Sequence, residues 1–255
     1  MKRSLFCASA TGFVLIFLYV PILILIISSF NESRFGGVWS GFTLKWYVQL
    51  WHEKAMWKAL SNSLIVGISA TIASTLLGTF AAFALHSYKT KLQKIHYSFI
   101  YTPLILPDIL MGISLLLLFV ALNIHLGLFT VFIAHTTFCV SYVTLVILSK
   151  LQNFDFSVVE AAQDLGANAW QVARRVWLPL LSPGIIAGAL LAFTLSIDDF
   201  VITYFVAGQG ATTLPIYVYS KIKFGSTPVI NALSAIIIVL TFLIVWLTQT
   251  LTKEE

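Results

Sequence analysis

The sequence predicts an all-α integral membrane protein, and three observations carry that prediction. Of its 255 residues 59% are hydrophobic and only 10% charged, where a soluble domain carries about 25%. Six apolar stretches are each long enough to cross a bilayer. Between the fourth and fifth lies the one long amphipathic stretch of the chain, Glu160 to Pro179. The length suits one transmembrane domain, residues 1–255, with roughly five to seven spans. A net charge of +5 fits Lys and Arg flanking membrane spans better than a nucleic-acid surface.

The spans fall near 12–30, 61–85, 98–120, 127–149, 181–206 and 229–251. Lys2-Arg3 before the first run resembles a secretory signal. That run is long for a signal core and no A-x-A-like site follows, so it reads as a retained span, bent at Pro21. The loop 31–60 is rich in aromatics: Phe35, Trp39, Phe42, Trp46, Tyr47, Trp51 and Trp57. With Thr43 as cap, Trp46, Tyr47, Leu50, Trp51 and Trp57 would share one face of a helix, lying in the membrane interface or docking an extracytoplasmic protein. Span two carries small residues at Ser63, Gly67, Ala70, Ser74, Gly78 and Ala81; span five repeats the device at Gly184, Gly188, Ala192 and Ser196. Both stripes predict close helix packing. Pro103 and Pro107 are expected to break span three.

An even number of spans puts both termini on one side. With the termini inside, nine Lys and Arg lie inside (2, 3, 89, 91, 94, 150, 174, 175, 253) and six outside (34, 45, 54, 58, 221, 223). That bias is in the positive-inside direction, clearest at Lys89-Lys91-Lys94.

The amphipathic stretch reads EAAQDLGANAWQVARRVWLP. Ser157 and Glu160 have capping-box spacing, and Gly166 sits where a positive-φ residue would end that helix. Asn168 and Gln171 repeat the spacing for a second helix, and Pro179 opens the next apolar segment. Val158, Ala162, Leu165, Ala169, Val172 and Val176 line one face; Glu160, Gln163, Asp164, Asn168, Gln171 and Arg174 cover the rest. Such a hairpin lies at a membrane surface, as a solvated loop or as a docking element for a soluble partner.

Ionisable residues within spans mark functional candidates. Asp108 follows the prolines of span three; it either caps the second half-helix or faces a pathway. Asp198 and Asp199 stand toward the outer end of span five, as pathway groups or as a polar helix end. Asp199 continues the small-residue stripe and should face protein, while Asp198 points about 100° away. His135, near Thr136, Thr137 and Ser141, reads as a packing histidine with its polar atoms satisfied. No P-loop, GxGxxG, metal-ligand spacing or nucleophile–base arrangement occurs, and Cys7 and Cys139 read as small apolar residues.

Glu160-Ala161-Ala162, three residues, Gly166, nine residues, Val176, one residue and Leu178-Pro179 resemble the EAA motif of ABC-importer permeases. A pattern that long is far more specific than a short one. Further stretches resemble the spermidine/putrescine branch: Phe30-Asn31, Ser33-Arg34-Phe35, Gly41-Phe42-Thr43, Lys45-Trp46-Tyr47, Pro107-Asp108-Ile109, His135, Phe193-Thr194-Leu195-Ser196 with Asp198-Asp199, and Thr213-Leu214-Pro215.

The resemblance implies a six-span, type I (MetI-like) permease fold with a cytoplasmic coupling helix in loop 150–180. It places both termini in the cytoplasm of a bacterial inner membrane. Glu160, Ala161, Ala162, Gly166, Leu178 and Pro179 would couple to the ATPase. A homologous PotB-like permease, two PotA-like ATPase subunits and a PotD-like polyamine-binding protein would complete the importer, in a lipid bilayer and without nucleic acid. The chain itself would hold no cofactor and catalyse nothing; ATP and Mg²⁺ would sit on the ATPases. A polyamine pathway needs carboxylates and aromatic faces. Asp108, Asp198, Asp199, Phe200 and Tyr204 are the residues expected to line it. A permease for another small solute remains open. An ion-coupled carrier would have no use for the EAA loop, and the paired carboxylates of span five argue against a non-transporting scaffold.

Overall fold

The computed structural model describes residues 5–34, 38–87, 93–152, 154–225 and 227–251. Lys2, Arg3, Phe35, Lys89, Lys91 and Lys253, named above, lie outside the described residues. The described chain is helical between its loops, with one isolated bridge pairing Asn31 and Phe42. It divides into two compact units, Met1–Trp57 with Tyr217–Glu255, and Lys58–Ile216.

In the first unit α1 (Leu5–Ser29) and α2 (Lys45–His52) pack on α12 (Thr227–Leu251). Much of α1, including Phe13, Ile16 and Phe17, is exposed, which suits a helix meeting lipid. Asn31 organises the loop that follows. Its amide donates to Val38 O at 2.8 Å, its Oδ1 accepts Ser40 N–H at 3.0 Å, and its carbonyl accepts the indole N–H of Trp46 at 2.8 Å.

The single aromatic-faced helix expected there is instead two helices. Glu53 is extended (φ −81°, ψ 94°) and ends α2 one residue before α3 (Lys54–Ser87) begins. Trp51 and Trp57 therefore meet across the break, edge to face at 5.0 Å, with Trp57 Nε1–H donating to Trp51 O at 2.8 Å. Thr43 Oγ1 accepts Lys45 N–H at 3.2 Å, but Leu44 occupies the cap position. Glu53 is ion-paired with Lys221 of α11 (Leu214–Lys223).

The second unit holds most of α3, then α4 (Gln93–Ile105), α5 (Asp108–Ala121), α6 (Leu128–Gln152), α9 (Leu178–Asp198) and α10 (Val201–Val206); α7 and α8 belong to the hairpin described below. Among the described residues, four helices are long and apolar enough to cross a membrane alone: Cys7–Ser29, Lys54–Ser87, Leu128–Gln152 and Ala169–Asp198. The stretch expected as span three is α4 and α5, bent by 111°. Pro107 supplies no N–H to continue α4 and restricts Leu106 before it, so the helix stops there. Pro103 stays inside α4. Span five also differs from expectation: its helix ends at Asp198, Asp199 is extended (ψ 123°), and α10 follows as a separate turn.

Both small-residue stripes face the interior. Ser63, Gly67, Ala70, Ser74 and Gly78 are buried on α3 with Ala81 half-buried at the end of the stripe, and Gly184, Gly188, Ala192 and Ser196 are buried on α9. A Cβ on Gly78 would lie 2.8 Å from Val143 Cγ1 of α6, and one on Gly188 would lie 3.3 Å from it. Glycine thus lets α3 and α9 close on a fully buried Val143.

Candidate functional site

Two sites lie at the ends of one helix. At the start is a hairpin. Its first arm, α7 (Ser157–Asp164), ends at Gly166 with φ +84°. Gly166 N–H donates to Gln163 O at 2.8 Å and Ala167 N–H to Ala162 O at 3.0 Å, the bond pair of a Schellman end. The second arm, α8 (Ala169–Val172), opens with the expected capping box: Gln171 N–H donates to Asn168 Oδ1, and Asn168 N–H to Gln171 Oε1, each at 2.9 Å.

The box expected at Ser157 and Glu160 does not form. Phe156 holds the cap position, Glu160 N–H donates to Phe156 O, and Asp155 Oδ1 accepts Ser157 N–H at 2.9 Å. Asp155 takes the Ser157 N–H that the Glu160 carboxylate would have accepted, and Phe156 O takes the Glu160 N–H that the Ser157 hydroxyl would have accepted. The Ser157 hydroxyl, then its backbone N–H, hold the Asp155 carboxyl below the usual carboxylate range.

Pro179 does not open a new helix. α8 passes through one π-helical turn (Ala173–Trp177) into α9, making a single 30-residue helix from Ala169 to Asp198. A proline within a helix removes one i→i−4 bond and crowds the carbonyl four back. The wider turn just before Pro179 absorbs that mismatch.

The expected apolar face is split. Val172 is buried, whereas Leu165 is 90% exposed, as is much of Val158. Trp170, which periodicity did not single out, is 71% exposed. Glu160, Ala161, Leu178 and Pro179 are exposed as well, while Ala162 and Gly166 line a groove between the arms with Gln171 and Arg175. Aromatic rings anchor the hairpin. Trp177 packs on Phe83 at 4.5 Å and Phe154 at 5.3 Å, and Phe156 stacks on His86 at 5.0 Å. The sequence signal for this cluster was a run of aromatics flanking the motif, visible but without a partner until α3 is placed.

At the far end of α9 lies a cleft of about 310 Å³, lined by Asp108, Tyr142, Thr194, Asp198, Asp199, Phe200 and neighbouring apolar residues. Three of its lining residues are thus carboxylates. Asp108 is the first residue of α5, with no side-chain cap on that helix, and it sits in the favourable field of its N-terminus. Asp198 is exposed. Asp199 is turned inward: its Oδ2 accepts Thr203 N–H at 2.8 Å and the Thr203 hydroxyl at 2.7 Å, and lies 3.4 Å from His135 Nε2. His135 is satisfied as expected, but by Ser196 (Nδ1–Oγ 2.7 Å) and Thr203 (Nε2–Oγ1 2.8 Å) rather than its neighbours on α6. Tyr204 does not line the cleft; it is exposed and packs on Phe200 at 5.5 Å.

Residues 74–253 match the family described as the inner membrane component of binding-protein-dependent transport systems. The chain is 40% identical over 239 residues, 94% of its length and 90% of the other, to the spermidine/putrescine transport system permease protein PotC of Escherichia coli (strain K12). It is 45% identical over 229 residues, 87% of its length and 82% of the other, to the putrescine transport system permease protein PotI of the same organism. Among solved structures, a bacterial ABC transporter for the acidic polysaccharide alginate matches with a TM-score of 0.78 at 17% identity, covering 98% of each chain. The inward-facing MetNI methionine ABC transporter matches with a TM-score of 0.62 at 16% identity, covering 84% of this chain and 99% of that one. The fold and the sequence agree: this chain belongs to the inner-membrane permease components of binding-protein-dependent ABC transport systems.

Proposed function

We propose that this chain is one of two permease subunits of an ATP-driven polyamine importer. Likeness at 40–45% identity along nearly the whole chain to PotC and PotI carries this reading. The cleft supports it. A polyamine is a flexible chain of ammonium groups separated by methylenes, and Asp108 and Asp198 offer carboxylates beside the rings of Phe200 and Tyr142. Cargo reaches Asp108 and Asp198 in transit and is handed across the membrane as the bundle alternates its access. Tyr204, packed on Phe200, supports that ring.

The partners are a homologous permease, two ATPase subunits carrying ATP and Mg²⁺, and a polyamine-binding protein. This chain is non-catalytic. Loop 150–180 and both termini face the cytoplasm. The hairpin meets the ATPase through Glu160, Ala161, Ala162 and the turn at Gly166, with Leu178 and Pro179 fixing its exit into α9. The exposed Leu165 and Trp170 give it apolar contact area.

Reconstitution of the chain with its four expected partners in nanodiscs tests the reading. Binding protein loaded with spermidine or putrescine should stimulate ATP hydrolysis, and proteoliposomes should accumulate the loaded cargo. Stimulation by another solute and not by either polyamine would overturn the assignment.

A further inference from the structure

The buried histidine of α6 touches neither cargo-facing carboxylate, yet it holds the corner from which one of them projects. His135 is 1% exposed and bridges Ser196 on α9 to Thr203 on α10. Between those two residues the helix breaks, at Asp199 and Phe200. Hydrogen-bond direction follows from the groups present. An ionised carboxylate only accepts, so the single Thr203 hydroxyl proton goes to Asp199 Oδ2. Thr203 Oγ1 must then accept from His135, which places a hydrogen on Nε2. Nδ1 is left to face Ser196 Oγ at 2.7 Å, where the serine hydroxyl can serve as donor or acceptor. Ser196, His135, Thr203 and Asp199 form one hydrogen-bonded chain across three helices. Asp199 closes it by capping α10, accepting from Ile202 N–H at 3.3 Å and Thr203 N–H at 2.8 Å.

We propose that His135 is a positioning residue of the cleft: it locks the α9–α10 corner, commits Asp199 to that corner, and so leaves Asp198 and Asp108 as the carboxylates presented to cargo. The inference rests on the cation-pathway reading above. Any buried histidine needs its nitrogens satisfied; here the two partners flank the helix break, so the same two bonds tie its sides together.

The test uses the full transporter in proteoliposomes, with Cys7→Ser and a reporter Val201→Cys at the corner, which lines the cleft. His135→Phe fills the space without polar atoms; His135→Gln keeps one donor and one acceptor. In His135→Phe, modification of the reporter by a charged thiol reagent should change about tenfold, the scale of a buried polar group losing its partner. Polyamine uptake per ATP hydrolysed should fall by a similar factor, with the complex still assembled. His135→Gln should recover both readouts in large part, and Thr203→Val should reproduce His135→Phe without adding to it. Unchanged reporter reactivity in His135→Phe, or uptake lost only in step with the amount of assembled complex, would overturn the positioning role. If the reporter responds while Asp108→Asn and Asp198→Asn transport normally, the pathway reading fails and the corner lock stands.

Discussion

The two adjacent carboxylates on α9 part company because one leaves the helix. Asp198 is its last residue and faces the cleft, whereas Asp199 is extended and accepts the first N–H groups of α10. The sequence set the pair about 100° apart and expected one to face protein. It reached that conclusion by extending a regular helix through Tyr204, which the structure does not contain. The break was not legible because the residue that bridges it, His135, lies 61 residues from Ser196. Substitutions should separate the roles. Asp198→Asn and Asp108→Asn each remove a charge from the cleft and, on the proposed pathway, should lower polyamine uptake about tenfold at constant membrane abundance, the size of a lost charged hydrogen bond. Asp199→Asn keeps one acceptor oxygen for Thr203 and should lose less than Asp199→Ala, which keeps none. Uptake by the Asp108→Asn/Asp198→Asn double variant at the parent level would remove both from the pathway. Glu160 poses a simpler question. It closes no capping box, so only its exposed charge is left to act. Glu160→Gln should therefore depress coupling as much as Glu160→Ala does, read as the ratio of binding-protein-stimulated to basal ATP hydrolysis. Asp155 supplies the cap instead. Its folded carboxyl is held below the unfolded value, so its contribution is full above the ordinary carboxylate range and is lost as pH falls through the lower, folded value. Asp155→Ala should abolish that acid dependence of α7 helicity, followed in a peptide spanning the hairpin.

Among the elements, the hairpin was the most legible because its signals are local. Gly166, Asn168 and Gln171 act within a few residues of themselves, so spacing alone foretold the turn and the second cap. The first cap misled because Ser157 and Glu160 match a box while Asp155 takes the N–H first. The continuity of α8 with α9 was hidden too. Pro179 reads as a start signal, and the π turn that accommodates it leaves no mark in composition. Gly166 offers a clean element-scale test. No atom lies within 4 Å of where its Cβ would be, so any cost of substitution comes from backbone strain alone. Gly166→Asn, which tolerates positive φ, should keep most uptake. Gly166→Val should strain the turn by about 1–2 kcal/mol and lower coupling without lowering insertion. Equal uptake in both variants would show that the hairpin does not depend on this turn.

At the scale of the unit Lys58–Ile216, one continuous helix joins the hairpin to the cleft. Ala169–Asp198 spans 30 residues, about 45 Å at 1.5 Å per residue. A push on the hairpin reaches Asp198 only if that helix moves as a rigid rod against α3 and α6. Hydropathy marked the four helices long and apolar enough to cross a membrane among the described residues, and the small-residue stripes marked their packed faces; which side chain each stripe receives was not legible. Val143 is that side chain, held between Gly78 and Gly188 with no exposure. Gly78→Ala would set a methyl 2.8 Å from Val143 Cγ1 and 3.2 Å from the Thr144 backbone nitrogen, so something must shift. Overpacking of this kind costs about 1–3 kcal/mol. Val143→Ala alone leaves a void beside both glycines. In the double variant the new methyl takes part of the space that valine vacates, so the two changes should couple favourably rather than add. Thermal aggregation of the detergent-purified transporter should place Gly78→Ala/Val143→Ala above Gly78→Ala. Strict additivity would mean that α3 and α6 do not meet at Val143, and with it the rigid seating of the rod would be lost.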